Sequence, residues 1–140
     1  MSVISIGNPK GGAGKTTLAL VLADQLAASG VNAAVIDADP NAIIAKWAAK
    51  RAGAKKAMPY TVVPRPTEGE MIQTIERLAG EHSIVIIDLE GAASRMTSRA
   101  LARSHMVLVP FNQSPVDAEL AASVVCALSI STAPAAGSRP

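Results

Sequence analysis

Residues 8–17 read Asn-Pro-Lys-Gly-Gly-Ala-Gly-Lys-Thr-Thr, with three glycines and two lysines in ten positions. Gly11, Gly12 and Gly14, with Ala13 between them, let backbone N–H groups turn inward toward an anion. A helix beginning at Lys15 would bring its positive end to the same point. The arrangement suits the phosphates of a nucleotide. Lys15 would meet the outer phosphates, the Thr16 hydroxyl would meet Mg²⁺, and Thr17 would reach the inner phosphate. A plain turn between strand and helix would not need Lys-Thr-Thr directly after its glycines. The strict form of the pattern has glycine where this chain has Pro9. Such a loop needs one lysine, so Lys10 calls for a separate explanation.

Acidic residues supply the other half of the chemistry. Asp37 and Asp39 are one residue apart. Carboxylates this close repel each other unless a cation or a water network lies between them, and Mg²⁺ beside a triphosphate would be that cation. Asp39-Pro40 could also open a helix with proline in its first turn, and the two roles can coexist. Asp88 ends the apolar run Ile84-Val85-Ile86-Ile87. That placement suits a second magnesium station acting through water. Glu90 adds a further carboxylate nearby.

Elements that could position these residues are readable from the pattern. Strands are expected at Val3–Ile6, Val31–Ile36, Tyr60–Val63, Ile84–Ile87 and Met106–Val109. Helices are expected at Lys15–Ser29, Ala42–Ala52, Glu68–Ala79, Ser94–Ser104 and Asp117–Leu128. Gly30 and Gly53 are the expected stops of the first two helices. Pro64 and Pro66 place the third strand at an edge. Alternating strands and helices predict an α/β fold: a mostly parallel sheet with helices on both faces. The chain has one Trp, one Tyr and one Phe among 140 residues, so its core must be aliphatic, as buried parallel strands require. One ordered domain is expected over residues 1–128, and a disordered tail over 129–140.

Composition excludes several functions. A net charge of +2 gives no global case for nucleic acid, so any basic site must be local. A single cysteine, Cys126, rules out an internal disulfide and multi-cysteine metal sites. No apolar run is long enough to span a membrane, and the opening residues lack a charged leader, so a cytoplasmic protein is expected. Arg95, Arg99 and Arg103 fall four apart and form one helical stripe that could meet DNA phosphates. Lys46, Lys50, Arg51, Lys55 and Lys56 surround Trp47. Both groups also fit an ordinary solvated face, and Trp47 fits an anchor packed on the sheet better than a base-stacking residue. His82 and His105 form no ligand pattern, and Cys126 is expected in the core.

Lys10 through Thr17 resembles the deviant phosphate loop of the ParA/MinD-type ATPases. The segment from Asp88 to Asp117, with Ser114-Pro-Val-Asp117, is similar to the branch linked to plasmid partition and DNA transfer. The resemblance implies a P-loop ATPase, here shortened at its C-terminus, that uses ATP and Mg²⁺ and forms a homodimer with nucleotide between the subunits. It implies that Lys10 reaches phosphates held by the other subunit. It further implies that Asp39 positions or activates the attacking water, and that Asp37 supports the magnesium hydration shell. Partition or segregation of DNA, or its transfer, would be the function, with non-specific DNA as a partner and hydrolysis stimulated by a second protein. The alternative is a nucleotide-binding regulatory module that does not turn over. Leu89-Glu90-Gly91 departs from the family pattern, in which proline or glycine commonly stands where Glu90 is.

Overall fold

The computed structural model describes residues 1–131 except 11, 13, 92 and 93. Within them, five strands alternate with five helices. These are β1 (Ser2–Ile6), α1 (Lys15–Ala28), β2 (Ala33–Asp37), α2 (Ile43–Gly53) and β3 (Thr61–Val63), followed by α3 (Met71–Glu81), β4 (Ile84–Asp88), α4 (Arg95–Ala102), β5 (Met106–Leu108) and α5 (Pro115–Ser131). The strands form one sheet in the order β3-β2-β4-β1-β5, and every pairing is parallel. The expected α/β architecture is present, and β3 lies at an edge.

Alternation along the strands divides the core in two. Val3, Val85, Ile87, Ala34 and Ile36 point to one face and pack beneath α3 and α4 through Met71, Ile75, Leu78, Met96 and Ala100. Ile6, Ile86, Ala33 and Val35 point to the other and pack beneath α1 and α2 through Ala19, Ala23 and Ile44. The central strands β2 and β4 are covered on both sides, which is why they read as unbroken aliphatic runs. Truncating a fully buried residue such as Ile86 would cost about 2–5 kcal/mol.

Local chemistry sets the helix ends. Ser94 caps α4, its hydroxyl accepting from the Thr97 N–H at 3.1 Å. Before α3, the Glu70 carboxylate reaches back to the Thr67 N–H at 3.0 Å, the reciprocal half of a capping box. Gly30 follows α1 in the left-handed conformation as expected. Gly53 does not play that part for α2. The helix runs through it, and Lys55 takes the left-handed position at φ 56°.

Helix α5 differs from its expected form. It continues to Ser131, three residues into the segment expected to be disordered, while residues 132–140 lie outside the described residues. Beyond Asp117 and Glu119 its apolar residues are spread around the helix rather than along one stripe. Cys126, expected in the core, is exposed together with Val116 and Val125. One helix cannot turn every side toward a sheet, and its sequence names no preferred one.

Candidate functional site

Parallel pairing brings the carboxyl ends of β1, β2 and β4 to the same edge. In register, Asp88 stands beside Ile6 on one side and Asp37 on the other. The loops that follow these strands therefore converge, at the place where open parallel sheets bind ligands. A cavity of about 570 Å³ opens there, lined by Gly12, Gly14, Lys15, Thr16, Thr17 and Asp39 among others.

Two glycines of the loop hold a backbone that their residue type permits. Gly12 and Gly14 have φ of 74° and 87°. Side chains rarely adopt such angles, and here they turn the chain so that α1 starts at the cavity. Gly14 is the N-cap of α1 and makes no side-chain cap, so the N-terminal amides of the helix stay available to an anion. Gly11 and Ala13 lie outside the described residues. Lys15 is largely buried, and its Nζ donates to the Lys10 carbonyl at 3.4 Å, a long contact that phosphate oxygens can replace.

Beneath the loop the Thr16 hydroxyl donates to Asp88 Oδ2 at 2.7 Å. Asp88 is fully buried, and its Oδ1 has no hydrogen-bond partner among the described residues. Burial pushes its carboxyl up to about 6. The Thr16 hydrogen bond opposes the shift, Asp37 and Asp39 reinforce it, and Lys15 opposes it. Asp37 is equally buried. Its Oδ2 accepts from the Ala45 N–H at 2.9 Å in the first turn of α2, and its Oδ1 is also unpartnered among the described residues. Burial raises its carboxyl as well. Two buried, adjacent carboxylates with one orphan oxygen each form a site short of positive charge.

These features fit a magnesium ion carried in on phosphates. Among the described residues no three His, Cys, Asp or Glu gather to hold a metal by themselves. The Thr16 hydroxyl and the two orphan oxygens are what such an ion, keeping most of its water, would use.

Asp39 lies at the cavity wall. Its Oδ1 accepts from the Asn41 N–H at 2.8 Å, closing a local turn, so it caps that turn and not α2. Ala42 then adopts φ 50° immediately before α2. A left-handed alanine costs about 1–2 kcal/mol, and here the strain sits at the rim of the cavity.

Lys10 is held from the far side. Its Nζ pairs with the buried Asp117 Oδ1 at 2.5 Å, and its N–H donates to Asn8 Oδ1 at 2.8 Å. The Asn8 side-chain amide donates in turn to the Pro110 carbonyl at 2.6 Å. The Lys10 ammonium holds the Asp117 carboxyl below the usual carboxylate range, and Ser114 and Asn112 assist. Asn8 and Arg65 were not singled out from the sequence. Arg65 Nη2 lies 3.5 Å from Glu90 Oε2, beside the cavity that Glu90 also lines. Its position at the carboxyl end of an edge strand, between two prolines, was the available signal.

The arginine stripe is not a bare cationic face. Arg99 pairs with Glu68 at 3.6 Å and Arg103 with Glu76 at 3.2 Å, because α3 and the turn that leads into it lie beside α4. Trp47, expected on the sheet, is 45% exposed and belongs to neither core cluster. Among the described residues no helix is long and apolar enough to cross a membrane.

Comparison with known proteins agrees with this geometry. Residues 4–129 match the family model of the CobQ/CobB/MinD/ParA nucleotide binding domain. The protein ParA of Rhizobium radiobacter is 39% identical over 122 residues, covering 87% of this chain and 54% of that protein. The protein virC1 of the same organism is 27% identical over 125 residues, covering 88% and 54%. The chain thus spans about half the length of these relatives. Among solved structures, a plasmid partition protein from Borrelia burgdorferi superposes with a TM-score of 0.77 at 17% identity, covering 92% of this chain and 74% of that one. Cobyrinic acid a,c-diamide synthase from Mycobacterium smegmatis, solved with an ATP analogue and magnesium, superposes at 0.75 with 18% identity, covering 93% and 68%. The chain belongs to the CobQ/CobB/MinD/ParA family of nucleotide-binding domains.

Proposed function

We infer that this chain is the catalytic core of a ParA-like ATPase that binds Mg-ATP, pairs with a second copy around the nucleotide, and serves DNA partition or transfer. The observation that carries the reading is the Thr16–Asp88 hydrogen bond beneath the glycine loop, beside two carboxylate oxygens without a partner among the described residues. The loop amides and Lys15 would hold the phosphates. Asp39, at the cavity wall, would orient the water that attacks the γ-phosphate, with ADP leaving. Magnesium, when bound, would neutralise charge on the phosphate oxygens.

Lys10 would have to leave Asp117 to reach a second subunit's phosphates. Its exchange of one anion for another suits a group needed only in the paired state. Turnover would be slow until a partner protein acts. The test is phosphate release with Mg-ATP, alongside nucleotide affinity and sizing by light scattering. The expected result is turnover in the parent and none above background in Lys15→Ala. Equal turnover in the two proteins would refute the reading.

The pairing of Glu90 with Arg65 favours a second reading, a module that binds nucleotide without hydrolysing it. Glu90 places a fourth carboxylate at the cavity that Asp37, Asp39 and Asp88 already make acidic. Tight ATP binding with no phosphate release would select this alternative.

A further inference from the structure

The two basic regions of the surface have different fates, and the difference points to a binding face. Arg99 on α4 and Arg103 just after it are matched by Glu68 and Glu76, while Arg95 has no carboxylate within ion-pair distance among the described residues. For Lys46, Lys50, Arg51, Lys55 and Lys56, no carboxylate lies within ion-pair distance among the described residues. Ile43, Lys46, Trp47 and Lys50 are spaced three and four apart on α2, so they share one strip of the helix. All four are exposed, Trp47 at 45% and Ile43 at 52%. Lys55 and Lys56 follow in the turn after α2. Lys55 holds a left-handed φ of 56° that glycine would adopt more readily, and this keeps a cation at the turn.

We propose that this face of α2 binds single-stranded nucleic acid, with the lysines on the phosphates and Trp47 stacking on an unpaired base. An indole standing among unpaired ammonium groups is the combination that single strands use, since every base offers a flat face and every linkage a charge. A duplex keeps its bases stacked inside and would leave Trp47 without a partner. The inference goes beyond the ATPase reading: none of these lysines, nor Trp47, lines the phosphate cavity, although Ile43 at the start of the strip does.

Trp47 is the only tryptophan of the chain, so its fluorescence reports the contact directly. The parent would be titrated with a labelled oligothymidylate and with a duplex of equal length, with and without Mg-ATP, following anisotropy and indole emission. The parent should quench on the single strand and bind it more tightly than the duplex. Lys46→Glu combined with Lys50→Glu should weaken binding at least tenfold, and should flatten the slope of log affinity against log salt by about 1.4. Trp47→Ala should weaken binding about tenfold with the salt slope unchanged. These surface changes should leave the circular dichroism and ATP affinity of the parent intact. Lys15→Ala should lose ATP and keep the oligonucleotide, which separates failure of this proposal from failure of the ATPase reading. Tighter binding to duplex, binding indifferent to the lysine reversals, quenching that follows protein concentration instead of oligonucleotide, or no binding by the parent would each overturn the proposal.

Discussion

Asp88 and Asp117 are both buried, and each faces a residue of the phosphate loop, yet their surroundings push them in opposite directions. Asp88 meets the Thr16 hydroxyl and two other carboxylates, and burial lifts it to about 6. Asp117 meets the Lys10 ammonium, which lowers it. One aspartate has its cation built into the chain, while the other is left short of one. That contrast marks Asp88 as the place where an arriving cation gains most, and Asp117 as a holder of the loop's extra lysine.

The contrast can be broken most severely at Asp88. Asp88→Asn keeps an acceptor for Thr16 and removes the charge, so Mg-supported phosphate release should fall by about 100-fold or more. The same variant without nucleotide should be the more stable protein at pH 8. Raising the folded pKa means the native state binds the proton more tightly. The associated stability is therefore present at low pH and lost as pH rises from about 4 to about 6. The loss is on the order of 3 kcal/mol, and Asp88→Asn should escape most of it. Chemical denaturation at a series of pH values measures both, and coincident curves for parent and variant would show that Asp88 carries no burial penalty.

A finer probe is Thr16→Val. Its hydroxyl is the chief group opposing the rise at Asp88, so the carboxyl should titrate above about 6 in the variant, as followed by carbon-detected NMR of the side chain. The smallest effect belongs to Asp117→Asn. With its folded pKa lowered, Asp117 contributes stability above the ordinary carboxylate range that is lost as pH falls through that lowered value. The variant should show a shallower loss on the acid side, the opposite slope to that at Asp88. It should also pair at lower Mg-ATP concentration in light scattering, since Lys10 is released. An unchanged midpoint would detach Lys10 from the pairing step.

The sheet was legible from the sequence because its central strands are covered on both faces. Ile84–Ile87 could hardly be anything other than a buried strand, and Pro64 and Pro66 limited Thr61–Val63 to an edge. The lining of the cavity was legible where short-range chemistry defines it, as at Gly12, Gly14, Lys15 and Thr16. Helix α5 was misread because an apolar helix with no stripe does not reveal which residues face inward, and Cys126 was placed in the core on that account. Trp47 was read as an anchor because aromatic side chains are usually buried, whereas Ile44 alone serves as the fully buried contact of α2.

The sequence by itself determined the alternation of elements, the two-sided aliphatic core and a loop shaped for an anion, since each follows from residue type and spacing over a few positions. The tertiary structure alone decided that Asp37 and Asp88 stand side by side, that Lys10 meets Asp117 across 107 positions, and that Arg99 and Arg103 are matched while, among the described residues, the lysines of α2 are not. Those outcomes depend on strand order and helix placement, which bring distant charges together or keep them apart. No local pattern encodes a distance between residues so far separated along the chain.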